Sequence, residues 1–341
     1  MRREKAKRER GEEVKKGKGK RELHASSSVS DSQKHQTVSI IGAGRMGTAL
    51  ALSLASCGYR VEAVMARRLS HAQRAARLIS THTRAFSAKQ LDKLPQSGII
   101  LITTPDDLIA ETAARLAATH QTLRQTQPSS HPNQRPSHQT RIALHASGAL
   151  SSEILSPLRD ANFRIGSLHP LISVSDPASG AESLREAFFC IEGDAQAVSV
   201  ARKIVRSLGA RAFSIKARDK ALYHAAAVMA SGHITALFDI AAEMLTACGL
   251  TKQKARAVLL PLTGSALENL SKREPARALT GTFARADILT VGKHLAALRS
   301  STLRDALAAY IILGQRSLKL AKESGADVEL LEAIARTLSG K

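Results

Sequence analysis

The apolar positions of this chain follow two rhythms. In the first half they form short runs, each closed by a glycine-rich or polar turn. Val38-Ser39-Ile40-Ile41 is one β-branched run, and Thr48-Ala49-Leu50-Ala51-Leu52 beyond the next turn has helical character. Tyr59 to Met65 predicts a second strand, and His71 to Ser80 a helix. Gly98-Ile99-Ile100-Leu101-Ile102 is apolar throughout, the pattern of a strand buried on both faces. Further strands are expected at Arg141 to Leu144, Arg164 to Leu171 and Ala187 to Ile191, with a last one at 212–215 after a helix over 195–208. Strands alternating with helices predict an α/β unit with a doubly wound, mostly parallel sheet. From about Asp219 the strand signals stop. Apolar residues then recur at spacings of 3 and 4 across 221–248, 252–270, 288–298, 302–320 and 326–338, which predicts an all-α C-terminal domain. Two stretches interrupt this pattern. Residues 1–36 are rich in Lys, Arg, Glu and then Ser, with little to bury, and read as a disordered basic tail. Residues 119–140 hold five Gln, three Pro and three His and read as a polar surface insertion between a helix and a strand.

The turn after the first strand is Gly42-Ala43-Gly44-Arg45-Met46-Gly47. A Gly-x-Gly-x-x-Gly turn between strand and helix has a physical logic. Gly42 permits the tight turn, Gly44 lets backbone approach a pyrophosphate, and Gly47 lets the helix pack on the strand. The N–H groups of Arg45 and Met46 open the helix and face the phosphates. The α/β unit over 37–216 is therefore expected to be a Rossmann-type NAD(P)-binding domain, followed by the helical domain over 217–341. The second strand ends in Ala66-Arg67-Arg68-Leu69-Ser70 rather than in the acidic residue that holds a ribose diol. Two guanidinium groups suit a 2′-phosphate, so NADP(H) is favoured over NAD(H). Thr103-Thr104-Pro105 ends the apolar strand and should border the nicotinamide half of the cofactor, while Asp106 reads as the N-cap of the next helix.

Charge and composition narrow the partners. The chain of 341 residues has 50 Lys and Arg against 29 Asp and Glu, a net charge of +21. Residues 1–36 hold 12 basic and 6 acidic residues, so most of the excess lies in the folded part and suits a small anionic substrate. The tail could also touch nucleic acid, although a solvated arm is the plainer reading. Aromatics make up 3% and Trp is absent, which argues against base-stacking platforms. Cys57, Cys190 and Cys248 are far apart and without a Cys-x-x-Cys motif, as free thiols of a reducing compartment would be. No secretory signal, organellar leader or membrane-spanning apolar run is apparent, so a cytoplasmic location is expected.

Four further motifs appear in order: His145-Ala146-Ser147-Gly148-Ala149-Leu150, Gly166-Ser167-Leu168-His169-Pro170-Leu171, Tyr223-His224-Ala225-Ala226-Ala227-Val228-Met229-Ala230-Ser231, and Leu279-Thr280-Gly281-Thr282-Phe283-Ala284-Arg285-Ala286-Asp287 with His294-Leu295. Over residues 37–335 the chain resembles the Rossmann-like family whose second half is the domain of unknown function DUF2520. That family is similar in plan to pyrroline-5-carboxylate reductases, 6-phosphogluconate dehydrogenases and ketopantoate reductases. The resemblance implies an NAD(P)-dependent oxidoreductase, dimeric through its helices and acting on a small oxo or imino acid. The chain departs from the family pattern at Gly232, where Asn is expected, at Thr282, where Pro is expected, and at Ala286, where Gly is expected.

Such a reductase needs a group that supplies a proton and groups that bind the acceptor. His224, at the start of the first helix of the second domain, is the leading candidate for the proton donor. Lys220, one turn earlier, could hold a substrate carboxylate or give the proton itself, and Ser231 could bind substrate. His145 and Ser147 are candidates for the nicotinamide ribose or the substrate. His169 and Arg285 are candidates for the substrate. No acidic residue completes a Ser-His-Asp triad, and no metal site is expected. The leading function is an NADPH-dependent reductase of a small carbonyl or imino acid, ketopantoate included. The alternative is a non-catalytic dinucleotide-binding or sensor protein.

Overall fold

The computed structural model describes residues 36–126 and 140–340; the basic tail and most of the 119–140 stretch lie outside them. The chain begins β1 (Thr37–Ile41), α1 (Arg45–Ser56), β2 (Arg60–Ala66), α2 (Leu69–Ile79), β3 (Arg84–Ser87), β4 (Ile99–Ile102), α3 (Asp106–Thr126) and β5 (Arg141–His145). It continues α4 (Pro157–Asp160), β6 (Phe163–Pro170), α5 (Pro177–Ser183), β7 (Phe188–Gly193), α6 (Ala195–Ser207) and β8 (Arg211–Phe213). The eight strands form one sheet in the order β3-β2-β1-β4-β5-β6-β7-β8, parallel except where β6 meets β7. The strand order reverses between β1 and β4, so a crevice opens there at the carboxyl ends of the strands.

Two apolar layers cover the sheet. Val38, Ile40, Leu101 and Leu144 face α1, α2 and α6. Ile41, Ile100, Ile102 and Phe163 face α3 and α4. Alternating side chains of one strand thus feed opposite layers, as period-2 geometry requires. The innermost strands β1 and β4 carry almost no buried polar groups because both faces are dry; Ser39 is one, and it pairs with Ser97 at 2.8 Å. Ser97 in turn donates to Glu62 at 2.6 Å, which commits that carboxylate to the sheet interior.

The second half is helical: α7 (Lys220–Ala230), α8 (Gly232–Ala247), α9 (Lys252–Lys272), α10 (Pro275–Ala278), α11 (Ile288–Ser300), α12 (Arg304–Glu323) and α13 (Val328–Leu338). A compact core forms only toward its end, from Ala286, Val291, Leu295, Leu318, Ile334 and Leu338. By contrast α7 to α9 leave Leu222, Leu260 and Leu262 exposed at 77%, 65% and 66%. Residues Ala217–Ala247, a helical stretch with mean hydropathy 1.4, reach the length and apolarity of a membrane span, contrary to the expectation of no such run. Its start is pinned to the sheet through Lys220, and its axis breaks at Ser231 (φ −130°, ψ −74°).

Several local expectations are corrected. The single helix expected over 221–248 is two, because Ser231 and Gly232 interrupt an otherwise alanine-rich run. Residues 119–126 are the last turns of α3 rather than loop, and His120 packs edge-on against Phe163. Asp106 is the first residue of α3 and accepts from the Ser147 hydroxyl at 2.8 Å, so its carboxylate ties α3 to the turn after β5. Ala286 takes φ +51°, the left-handed region that glycine adopts without cost. The glycine expected at this position would have had a conformational reason.

Candidate active site at the junction of the domains

The turn after β1 is held from both sides. Gly42 and Ala43 N–H groups donate to Met65 O at 2.8 Å, and the Thr103 hydroxyl donates to Gly42 O at 2.7 Å. Gly42 has φ +115°, and a Cβ there would stand 2.5 Å from the Thr103 carbonyl carbon. A Cβ at Gly47 would collide with Gly42 O and the Thr103 hydroxyl. Both glycines are required by packing. Gly44 differs, since a Cβ there would meet no protein atom within 4 Å.

That space belongs to a cavity of about 410 Å³ lined by Gly42, Gly44, Arg67, Thr103, Thr104 and Pro105, with His71 and Arg115 also on its wall. The residues fit a dinucleotide on three observations. Gly44 leaves room for a phosphate. The helix α1 starts without a side-chain cap or an acidic residue in its first turn, so Arg45 and Met46 open a bare helix N-terminus. The Thr104 hydroxyl is buried in the cavity wall without a protein partner. Of the two arginines after β2, Arg67 lines the cavity, whereas Arg68 is the exposed N-cap of α2 and does not. His71 and Arg115 were missed at the sequence level. His71 is one helical turn past Arg67, a signal that was available; Arg115 comes from α3, forty-odd residues away in sequence, and had none.

A second cluster lies along the same sheet edge, beyond β5 and β6. His145, Ser167 and Ile102 share one register position at the strand ends. His145 Nδ1 accepts from Ser147 N–H at 3.1 Å, and its Nε2 is buried without a hydrogen-bond partner. From α7 the Lys220 ammonium enters this edge, donating to Ser147 O at 3.1 Å and Ser167 Oγ at 2.6 Å. Lys220 is 1% exposed, and burial lowers its pKa. Burial and the Lys220 charge push His145 down to about 3. Burial, then Lys220 and His224, push His169 down to about 4. Both imidazoles are therefore neutral at physiological pH.

Gly148 is where the two domains touch. A Cβ there would lie 2.5 Å from His224 Cδ2 and 2.8 Å from His169 Nε2 and Cε1. The rings of His169 and His224 stand 5.7 Å apart, nearly perpendicular. Tyr223 was not singled out from sequence, yet its hydroxyl is 2.7 Å from His169 Nδ1. Its position, three residues after Lys220 and one before His224, was the available signal. The structure thus gathers His145, Ser147, His169, Lys220 and His224. Ser231 and Arg285 stand apart: the Ser231 hydroxyl donates to Ala227 O, Arg285 is exposed beside the turn at Ala286, and no hydrogen bond among the described residues joins either to the cluster. No group of three or more potential metal ligands exists among the described residues.

A parallel sheet whose order reverses between β1 and β4, a glycine turn over a cavity and a helical second half at the strand ends define a protein of Rossmann-like fold. Residues 23–170 match the Rossmann-like domain, and residues 187–317 match the domain of unknown function DUF2520. Both matches agree with the resemblance carried by the glycine turn and the four later motifs. Among solved structures, a Bacteroides fragilis protein described as a candidate NADP oxidoreductase is 19% identical, covers 85% of this chain and 98% of its own, and has a TM-score of 0.61. Protein TM1727 of Thermotoga maritima is 21% identical over 84% of this chain and 99% of its own, also at 0.61. The 1-pyrroline-5-carboxylate reductase of Streptococcus pyogenes is 13% identical over 90% and 98%, at 0.52. At these identities the likeness is one of fold. No curated protein matches in sequence.

Proposed function

We propose that this protein is an NADPH-dependent reductase of a small anionic oxo or imino acid, with ketopantoate-like acids among those of suitable size. The observation that carries the reading is the meeting of His169 and His224 at Gly148, on the same strand-end edge as the cavity that begins at Gly44. A bound nicotinamide would supply hydride. The chain's own residues would do the rest. Arg67 holds the 2′-phosphate, and the N-terminus of α1 holds the pyrophosphate. His224 delivers the proton that the reduced oxygen or nitrogen needs. Lys220 anchors α7 to the sheet, and its charge favours an anionic acid nearby.

Titration of NADPH and NADH by fluorescence tests the first half. We expect NADPH to bind at least tenfold more tightly, and Arg67→Ala to erase that preference; binding of neither nucleotide refutes the reading. A panel of oxo and imino acids tests the second half. His224→Ala should lower kcat by two to three orders of magnitude with NADPH affinity preserved. Binding without turnover across the panel would favour a dinucleotide-binding or sensor protein.

The apolar surface of α7 to α9 supports a homodimer formed through the helical domain. A helix apolar on its outer side needs a cover, and a second copy supplies a matching face. Light scattering should report a dimer, and Leu262→Glu a monomer that keeps its helical content. The free thiols Cys57, Cys190 and Cys248 support a place in the reducing cytoplasm.

A further inference from the structure

Tyr223 has no part in the scheme above, yet it is wedged tightly. Its ring stands edge-on to His169 at 5.6 Å and to Phe213 at 5.8 Å. We propose that Tyr223 is a positioning residue: its hydroxyl donates to His169 Nδ1 and fixes His169 as the neutral Nε2–H tautomer, whose N–H is presented to the substrate oxygen. The substrate half of this inference rests on the reductase reading; the tautomer does not.

The direction of the hydrogen bond is set by what each group can do. A neutral imidazole carries one proton, so one ring nitrogen donates and the other accepts. His169 is held neutral by burial, by the Lys220 ammonium and by the neighbouring His224, both from α7. Burial and the neighbouring Cys190 push the Tyr223 phenol up, so its hydroxyl keeps a proton to donate. The Cys190 thiol from β7 is itself kept neutral by burial and is the weaker acceptor. The Tyr223 hydroxyl and Nδ1 stand 2.7 Å apart, within hydrogen-bond reach, and with the phenol keeping its proton we assign Nδ1 as the acceptor and the ring proton to Nε2.

The far edge of the ring then matters. Nε2 and Cε1 lie beside Gly148, where His224 Cδ2 also approaches. Among the described residues no protein group accepts from Nε2. A donor that stays neutral through the physiological range can hold an oxygen without exchanging its own proton. His169 would thus orient the acceptor while His224 supplies the proton, a division of labour between two rings 5.7 Å apart.

Long-range proton–nitrogen NMR of protein labelled with 15N-histidine reads the tautomer directly at pH 7, with His169→Gln identifying the resonances. In the wild type we expect an unprotonated Nδ1 and a protonated Nε2. In Tyr223→Phe, which keeps the ring, we expect a tautomer mixture and a titration midpoint moved up toward ordinary histidine. An Nδ1–H tautomer in the wild type, or an unchanged tautomer in Tyr223→Phe, overturns the proposal. On the reductase reading, Tyr223→Phe should lower kcat/KM about tenfold with NADPH affinity within twofold. His169→Gln, which retains an N–H donor, should keep at least tenfold more activity than His169→Ala; equal activities would overturn the donor role. Failure of the wild type to bind NADPH would remove the reductase reading and leave the tautomer result standing.

Discussion

Gly44→Val is expected to raise the Kd for NADPH at least a hundredfold while changing the free energy of unfolding by no more than about 1 kcal/mol. Few substitutions in this chain should separate binding from folding so cleanly. The backbone at Gly44 is extended, at φ −80° and ψ −168°, a conformation valine adopts readily. A Cβ there meets no protein atom, so packing gives no reason to keep glycine. The residue opens α1 as its N-cap, where valine is a poorer choice than glycine, and that accounts for the small stability cost. The branched side chain would then occupy the space over the bare helix N-terminus, where a pyrophosphate must come into contact with backbone. Gly42→Ala and Gly47→Ala would also lose binding, but through the fold, since each new Cβ meets the neighbouring turn. The measurement is therefore a pair: NADPH titration and urea unfolding on the same variant. Unchanged affinity would place the anion elsewhere, and loss of cooperative unfolding would give Gly44 a packing role.

The sheet was readable where one rule dominated. Ile99 to Ile102, apolar at every position, can only be a strand dry on both faces, and the glycine turn after Ile41 dictates a close-packed helix beyond it. The short edge strand β3 was not readable, because Arg84-Ala85-Phe86-Ser87 is too brief and too mixed for either periodicity to register. Helical spacing identified apolar stripes on α7 and α9 but could not say what covers them; in the single chain much of those stripes lies open. The site was half legible. Histidines at the ends of β5 and β6 and at the start of the helical domain stood out as polar groups in otherwise apolar or small-residue surroundings. Their meeting at Gly148 depends on β6 ending beside the first turn of α7, a tertiary fact that no local pattern encodes. Lys220 shows the same limit: its sequence position suggested a free ammonium, whereas the fold buries it between Ser147 and Ser167.

Acidification from pH 6.5 to 5 should cost the fold about 2–4 kcal/mol, drawn mainly from His145 and His169. Unfolded, each imidazole takes up a proton near pH 6.5. Folded, they resist protonation until about pH 3 and about pH 4, because burial and the Lys220 ammonium disfavour a second positive charge. Across that window the unfolded chain binds more protons than the native one, so stability rises with pH and is lost as pH falls. Each fully shifted imidazole contributes about 1.4 kcal/mol per pH unit, or about 2 kcal/mol over this interval. The depressed carboxylates of Asp194 and Glu153 act in the same direction but only at lower pH, where they begin to protonate in the unfolded chain. Urea unfolding at pH 7, 6, 5.5 and 5 measures the slope, and His145→Gln should remove about half of it. A stability independent of pH over this range would mean that the two imidazoles are charged or solvated in the native protein. The same neutrality that makes the fold acid-sensitive is what lets His169 present a fixed N–H beside His224. Folded His169 keeps a neutral ring down to about pH 4, so its donor role should persist across this interval even as stability falls.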